Sequence, residues 1–515
     1  MKSRMTTGTV LVCMLLMTCI AMANNVQVSN ASLTGQNVSS QYVMVQFDLS
    51  WENSWRNNTN WDAVWLFVKY RTADGTWGHA TLNSTPANHS VGSAAAAISQ
   101  ADGIGAFYYR SATGAGSFSS TGVQLRWEYG VDGVGASLSE EILSIKVFAI
   151  EMVYVPQGPF YAGGGYGVGQ IFFDGMVSLG PWSILSENAI TTVSTGDGPG
   201  LYVYRKSQAF VNSDEVGGFT IPAAFPKGYN AFYCMKYEIT QQQYVDFLNT
   251  LNPDEQNYRY FLTVTPINFL QPGSVAINRA FPNRLGINLL YKGHTPSRYA
   301  ATYACNLNPD VAMNEIDDGQ NVACNYLSWW DASAYTDWAG LRPMTELEYE
   351  KACRGPIYPA SGCFAWGTWL KKESSELINH GRPDEVPISD DVNFPTTIPF
   401  RVGMCASANT NREQSGASYY GIMDLSTNLS ESCIVVGNPV GRYFTGVHGD
   451  GNLGVNMGYT GLHNVATWPA PSARCLGMVS RDGLVSTRYY IYDGTPNMEY
   501  DKLPVTGYRC VRTAP

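Results

Sequence analysis

The chain has 515 residues, 45% hydrophobic and only 14% charged, against ~25% charged in an average globular domain. Aromatic content of 13% with 51 Gly and 26 Pro describes packed, turn-rich structure and excludes a polar disordered chain. The formal net charge of −10 comes without a basic run, so no electrostatic footprint for nucleic acid is present.

Lys2 and Arg4 precede an apolar stretch at 9–20, and Ala21-Met22-Ala23 supplies an A-x-A cleavage site before Asn24. This pattern predicts a signal peptide over 1–23 and a secreted or cell-surface protein. No later segment reaches the ~18 unbroken apolar residues of a membrane span. Nine cysteines remain beyond the leader, all in the second half: Cys234, Cys305, Cys324, Cys353, Cys363, Cys405, Cys433, Cys475 and Cys510. An oxidising compartment favours pairing, but nine is odd, so one thiol stays unpaired or bonds between chains. No two lie closer than Cys353 and Cys363, which excludes a C-x-x-C zinc pattern.

Residues 24–150 read as strands. Val45 to Trp51 alternates apolar and polar residues, and Val64, Leu66, Val68 and Tyr70 repeat the pattern, as do Val123, Leu125, Trp127 and Tyr129. Period-two alternation marks strands with one buried face. Turn clusters such as Ala73-Asp74-Gly75 separate them. The expectation is an antiparallel β-sandwich of immunoglobulin-like type, acting as a spacer or docking module.

The character changes near 151. Glu151 to Phe160 predicts a strand ending in a turn, followed by a glycine run at 163–169. No helix of apolar period follows that run, so it reads as a surface loop rather than a nucleotide-binding one. Three short helices are marked by capping boxes. Thr240 with Gln243 opens one that carries Tyr244, Phe247, Leu248 and Leu251 at helical spacing. Ser328 with Asp331 opens a second, with Ala334, Tyr335 and Trp338 inward. Thr345 with Glu348 opens a third, running to about Cys353.

Several strings in this half, taken in order, resemble the formylglycine-generating enzyme family, also called the sulfatase-modifying factor family. They are MVYVP at 152–156, YEITQQQY at 237–244, NYLSWWDA at 325–332, LRPMTELEYE at 341–350, FAWG at 364–367, YGIMDLSTNLSE at 420–431 and GYRC at 507–510. The resemblance covers about 151–515 and implies an α+β, loop-rich domain with a C-type-lectin-like fold. Stretches near 163–228 and 253–322 look like insertions relative to the family and are expected on its surface, where loops build binding faces.

The family's enzymes oxidise a substrate cysteine to formylglycine with O2 and copper held by two cysteines a few residues apart, after a G-G-S-W/Y segment. Soft thiolates suit Cu(I). Here that segment is the altered Leu476-Gly477-Met478-Val479-Ser480, and no cysteine lies between Cys475 and Cys510. Copper is therefore not expected; the only route to a pair is Cys433 meeting Cys475 through folding. The resemblance implies bridges at the positions of Cys353 and Cys510, with Cys475 another candidate partner. Thr336 stands where the usual mate of Cys510 would be, which leaves Cys324 as a candidate.

Of six histidines none is spaced i, i+4. His448, in His448-Gly449-Asp450-Gly451-Asn452, is the one in a metal-like setting, and a loop histidine bonded to backbone is the expectation. The family also binds calcium at a G-N-x-x-E turn, and Ca2+ takes six to eight hard oxygens. Asn428, the Leu429 carbonyl and Glu431 hold those positions, although Thr427 replaces a glycine that reaches φ > 0 freely. The sequence thus favours a secreted, non-catalytic binding or adhesion protein whose partner is a glycan or an extracellular protein. The alternatives are a copper-dependent oxidase and a self-associating surface component.

Overall fold

The computed structural model describes residues 25–515 apart from 100–101, 165–170, 176–179, 195–197, 204–216, 261–283, 292–298, 361, 370–376, 388–398, 408, 457, 470–475, 480–487 and 491–503. The expected signal peptide, most of the 163–169 glycine run and Cys475 thus lie outside the described residues. The chain is rich in strands, with a few short helices. Among the described residues no helix is long and apolar enough to cross a membrane.

The first half forms β1 (Gln27–Asn37), β2 (Tyr42–Arg56), β3 (Asp62–Thr72), β4 (Trp77–His79), β5 (Ala96–Ser99), β6 (Ala106–Arg110), β7 (Gly114–Trp127) and β8 (Ile142–Val155). Strands β1, β2 and β7 make one antiparallel sheet. The alternation read in β2 holds, with Val43, Val45, Phe47, Leu49 and Trp51 all buried. They pack with Val64, Leu66, Val68 and Tyr70 of β3, with Ala106 and Tyr108 of β6, and with Val123, Leu125 and Trp127 of β7.

The second sheet crosses the expected boundary at 150. Its order is β10-β15-β9-β8-β3-β6-β5, with β4 also on β3. Here β9 is Phe232–Met235, β10 is Arg342–Pro343 and β15 is Cys510–Thr513. Strand β8 pairs with β3 along its length and with β9 at its far end. The expectation of one buried face fails at β3, where every residue from Asp62 to Tyr70 is buried. Its second face, with Ala63, Trp65 and Phe67, enters the main core of the C-terminal half. Trp338 meets Phe67 and Phe148 at 5.1 and 4.8 Å, and Trp65 Nε1 donates to Ala339 O at 2.8 Å. Each such large side chain, fully buried, contributes about 1.5–3 kcal/mol. The N-terminal strands are therefore fixed into the rest of the molecule, not a spacer hung from it.

The three capped helices form as read: α1 (Gln241–Leu248), α2 (Trp329–Trp338) and α3 (Glu346–Arg354), each with both capping-box hydrogen bonds. A four-stranded sheet completes the frame, with β11 (Ser430–Ile434) between β12 (Leu476–Val479) and β14 (Thr506–Gly507), and β13 (Arg488–Tyr490) beyond β12. The stretch at 163–228 is not confined to the surface. Its described parts place Ile171, Leu201, Val203, Phe219 and Ile221 in the main core, because short apolar strand pairs there lack another layer to cover them.

Candidate functional site

The turn leading into β11 and the segment leading into α1 meet below the sheet. Asp424 and Asn428 adopt φ of 63° and 59°, a region their short polar side chains tolerate. Thr427 keeps negative φ, so the missing glycine does not distort the turn. Asn428 Nδ2 donates to Glu238 Oε2 at 2.6 Å, and the Leu429 amide donates to Glu238 Oε1 at 2.9 Å. Asn428 Oδ1 accepts from the Phe400 amide at 3.0 Å. Glu431 Oε1 accepts from Arg509 Nε at 2.8 Å, while Arg509 Nη1 reaches the carbonyls of Met235 and Lys236.

Three carboxyl groups are thereby buried together: Glu238, Asp424 and Glu431, none more than 2% exposed. Asp424 Oδ2 accepts from the Gly403 amide at 2.6 Å, but Asp424 Oδ1 and Glu431 Oε2 have no hydrogen-bond partner among the described residues. Burial, and then the charges of Glu431 and Asp424, raise Glu238 well above its ordinary range. Burial lifts Asp424 to about 6 and also raises Glu431. Burial opposes the charge on Arg509, yet Glu431 holds it firmly protonated. Carboxyl groups outnumbering their cation in a dry site keep protons. A second ion cluster sits nearby, where Lys236 lies 3.0 Å from Glu151 and 3.5 Å from Asp62, tying β8 and β3 to the same segment.

The sequence reading named Asn428, Leu429 and Glu431 but gave no role to Glu238, Asp424 or Arg509. Those three stand inside the quoted motif strings, as charged residues among apolar neighbours, and that was the available signal. Among the described residues no group of three or more His, Cys, Asp or Glu side chains is arranged so that it could hold a metal ion.

All eight described cysteines are buried, and no disulfide joins any two of them. Cys324, Cys353 and Cys510 thus form no bridge with one another, and Cys475, the other candidate partner, lies outside the described residues. Cys510 Sγ instead lies 3.1 Å from Thr336 Oγ1. Cys324 faces elsewhere, with Sγ 3.8 Å from the Asn325 carbonyl. Burial pushes Cys510 up to about 12 and raises Cys234, Cys305 and Cys405 as well. Neutral buried thiols are poor nucleophiles and poor metal ligands. In the register of β11 with β12, Cys433 lies opposite Gly477 and Ile434 opposite Leu476, the residue after Cys475.

His448 behaves as a loop histidine. Nε2 accepts from the Thr513 amide at 3.0 Å, Nδ1 is 3.7 Å from Asp102, and burial holds its pKa near 4. Gly449 and Gly451 let this loop close on Asp337 and His79. A Cβ at 451 would lie 2.1 Å from His79 Nδ1, and one at 449 would lie 2.5 Å from Asp337 Cα. Lys69 donates to the Gly451 carbonyl, binding β3 to the same loop.

The family model described as "Sulfatase-modifying factor enzyme 1-like domain" matches residues 198–462. The formylglycine-generating enzyme of Streptomyces coelicolor is 42% identical over 90 residues, 17% of this chain and 28% of that protein. Those of Mus musculus and Thermomonospora curvata are 35% and 37% identical over 71 residues, 14% of this chain and 18% and 23% of theirs. The matches thus span less than a third of each relative's length. With the family model covering half the sequence, the chain belongs to the sulfatase-modifying factor enzyme 1-like domain family.

Proposed function

We propose that this is a secreted binding protein on a formylglycine-generating-enzyme-like scaffold, which takes a glycan or an extracellular protein as ligand and does not oxidise cysteine. The observation that carries the reading is the state of the thiols. None of the nine beyond residue 23 has a neighbour within five positions, and the eight described are buried. Copper chemistry needs two accessible thiolates, and the described cysteines do not fit that need. The alternative, a copper- and O2-dependent oxidase, draws on the similarity to formylglycine-generating enzymes and requires Cys433 and Cys475 to act together.

In the same reading the two N-terminal sheet layers form an immunoglobulin-like sandwich, and the remainder takes a C-type-lectin-like fold. Residues 1–23 direct secretion. Calcium at Asn428, Leu429 and Glu431 has partial support. Glu431 Oε2 and Asp424 Oδ1 are buried hard oxygens lacking a hydrogen bond among the described residues, whereas Asn428 Oδ1 would have to release the Phe400 amide. An ion there would neutralise the excess carboxylates and tie the β11 turn.

The test is binding itself: the labelled protein is passed over a glycan array and over immobilised extracellular proteins. Saturable binding to one class supports the reading. Absence of binding to both, with the protein folded, overturns it.

A further inference from the structure

The edge of β8 is only half covered. Tyr154 donates its amide to Trp61 O at 2.9 Å, so even-numbered residues back to Lys146 pair toward β3 in unbroken register, and odd-numbered ones turn away. Strand β9 covers that outer edge only from Met152 to Val155, and the Lys236 amide takes Glu151 O. Val147 and Ala149 therefore aim N–H and C=O at an edge where no described backbone group pairs with them.

A cavity of about 210 Å³ lies against this edge, between 146–150 of β8, the start of β1 and helices α1 and α2. Val26, Val28, Phe148 and Trp338 give it apolar walls, and Gln243, Asp246 and Tyr335 give it polar ones. Tyr335 is 1% exposed and lines the cavity. At the mouth, Asp246 Oδ1 lies 2.5 Å from Lys146 Nζ and 3.3 Å from Gln242 Nε2, which leaves Oδ2 open.

The volume and lining select a ligand class. The space exceeds the ~150 Å³ that admits benzene and falls below the ~300 Å³ of drug-sized pockets, so it holds one ring. A hydrocarbon would leave the amides and carbonyls of Val147 and Ala149 without partners, at a cost for each. A charged ligand gains little, because Lys146 and Asp246 neutralise each other. An extended peptide would overrun the notch, which meets the strand edge only at 146–150. A pyranose offers the complement: hydroxyls around its rim and an apolar C–H face for the valines and rings. We propose that this notch binds a single neutral sugar ring, the terminal residue of a glycan; the proposal rests on the glycan-binding reading above.

The experiment titrates the purified protein with neutral monosaccharides (glucose, galactose, mannose and fucose), reading tryptophan fluorescence, with Trp338 in the cavity wall. Saturation in the millimolar range is expected for at least one sugar. Tyr335→Phe and Asp246→Asn should each weaken it about tenfold with unchanged circular dichroism, and Val28→Trp should abolish it by filling the notch. If glycans bind on the array but none of these variants changes that binding, the notch is wrong and the binding function stands. If neither arrays nor 50 mM monosaccharide give a response, the notch and the glycan arm of the binding reading fall, while binding to an immobilised extracellular protein would leave the broader reading standing. Binding of phenol without binding of any sugar would overturn the ligand class.

Discussion

Replacing Thr336 by cysteine should create a disulfide with Cys510. The two side chains already touch, with Oγ1 3.1 Å from Sγ. A disulfide needs ~2.05 Å between sulfurs, so an approach of about 1 Å between α2 and β15 suffices. The bridge would close a loop of roughly 175 residues, and chain entropy then sets an upper limit of about 5 kcal/mol. Strain from moving two fully buried groups, and loss of the Thr336 hydrogen bond to the Ala332 carbonyl, lower the expected gain to about 2–4 kcal/mol. For a chain of this length that is a rise in Tm of about 2–4 °C. The assay is intact mass and thiol titration of the unfolded protein, with melting curves with and without reductant. Thr336→Cys should oxidise with loss of two thiols and two mass units. The same variant carrying Cys510→Ser should not. A variant that keeps both thiols after oxidation would refute the packing of α2 against β15.

Asp424 is raised to about 6 in the fold, against 3.8 for a free side chain. Its contribution to stability is thus full below pH ~4 and is lost as pH rises through about 6, by about 3 kcal/mol in all; Asp424→Asn should flatten urea-derived stability over that window, and an unchanged slope would contradict the buried-acid cluster. Gly451→Ala forces a Cβ onto His79 at a backbone φ of 87°. It should cost more than about 2 kcal/mol, and a melting shift near zero would mean the loop does not close on β4. If calcium occupies the β11 turn, millimolar Ca2+ should raise Tm and Glu431→Gln should remove the effect; no shift at 10 mM ends that proposal. Lys69 is buried and held down to about 7 by desolvation, partly offset by Asp337 and Asp450. Its contribution is full above pH ~10.5 and lost as pH falls through 7, a slope that Lys69→Met should abolish in a pH series of melts.

What the sequence disclosed was local. The capping boxes at Thr240, Ser328 and Thr345 are each contained within four residues, and the alternation of β2 reports a single sheet face; both survive intact. What it concealed depends on partners far along the chain. Glu238 meets Asn428 across 190 positions, and Lys69 meets Gly451 across 382. No local pattern encodes such a pairing. Strand β3 is the instructive middle case. Its run Ala63-Val64-Trp65-Leu66-Phe67-Val68 is continuously apolar, the mark of a strand covered on both faces. Reading only its even positions hid the layer formed by Ala63, Trp65 and Phe67. The resemblance puts Thr336 at the partner position of Cys510, but the direct contact between the two needed coordinates.

The proposed function supposes that the chemistry of the enzyme relatives is lost. It is tested most directly by incubating the protein with Cu(I), O2, a thiol reductant and a cysteine-containing sulfatase-type peptide, with an active formylglycine-generating enzyme alongside. The account predicts that mass spectrometry finds the peptide thiol unchanged. Conversion to the aldehyde would contradict it, and would assign the oxidation to a thiol pair drawn from distant positions such as Cys433 and Cys475.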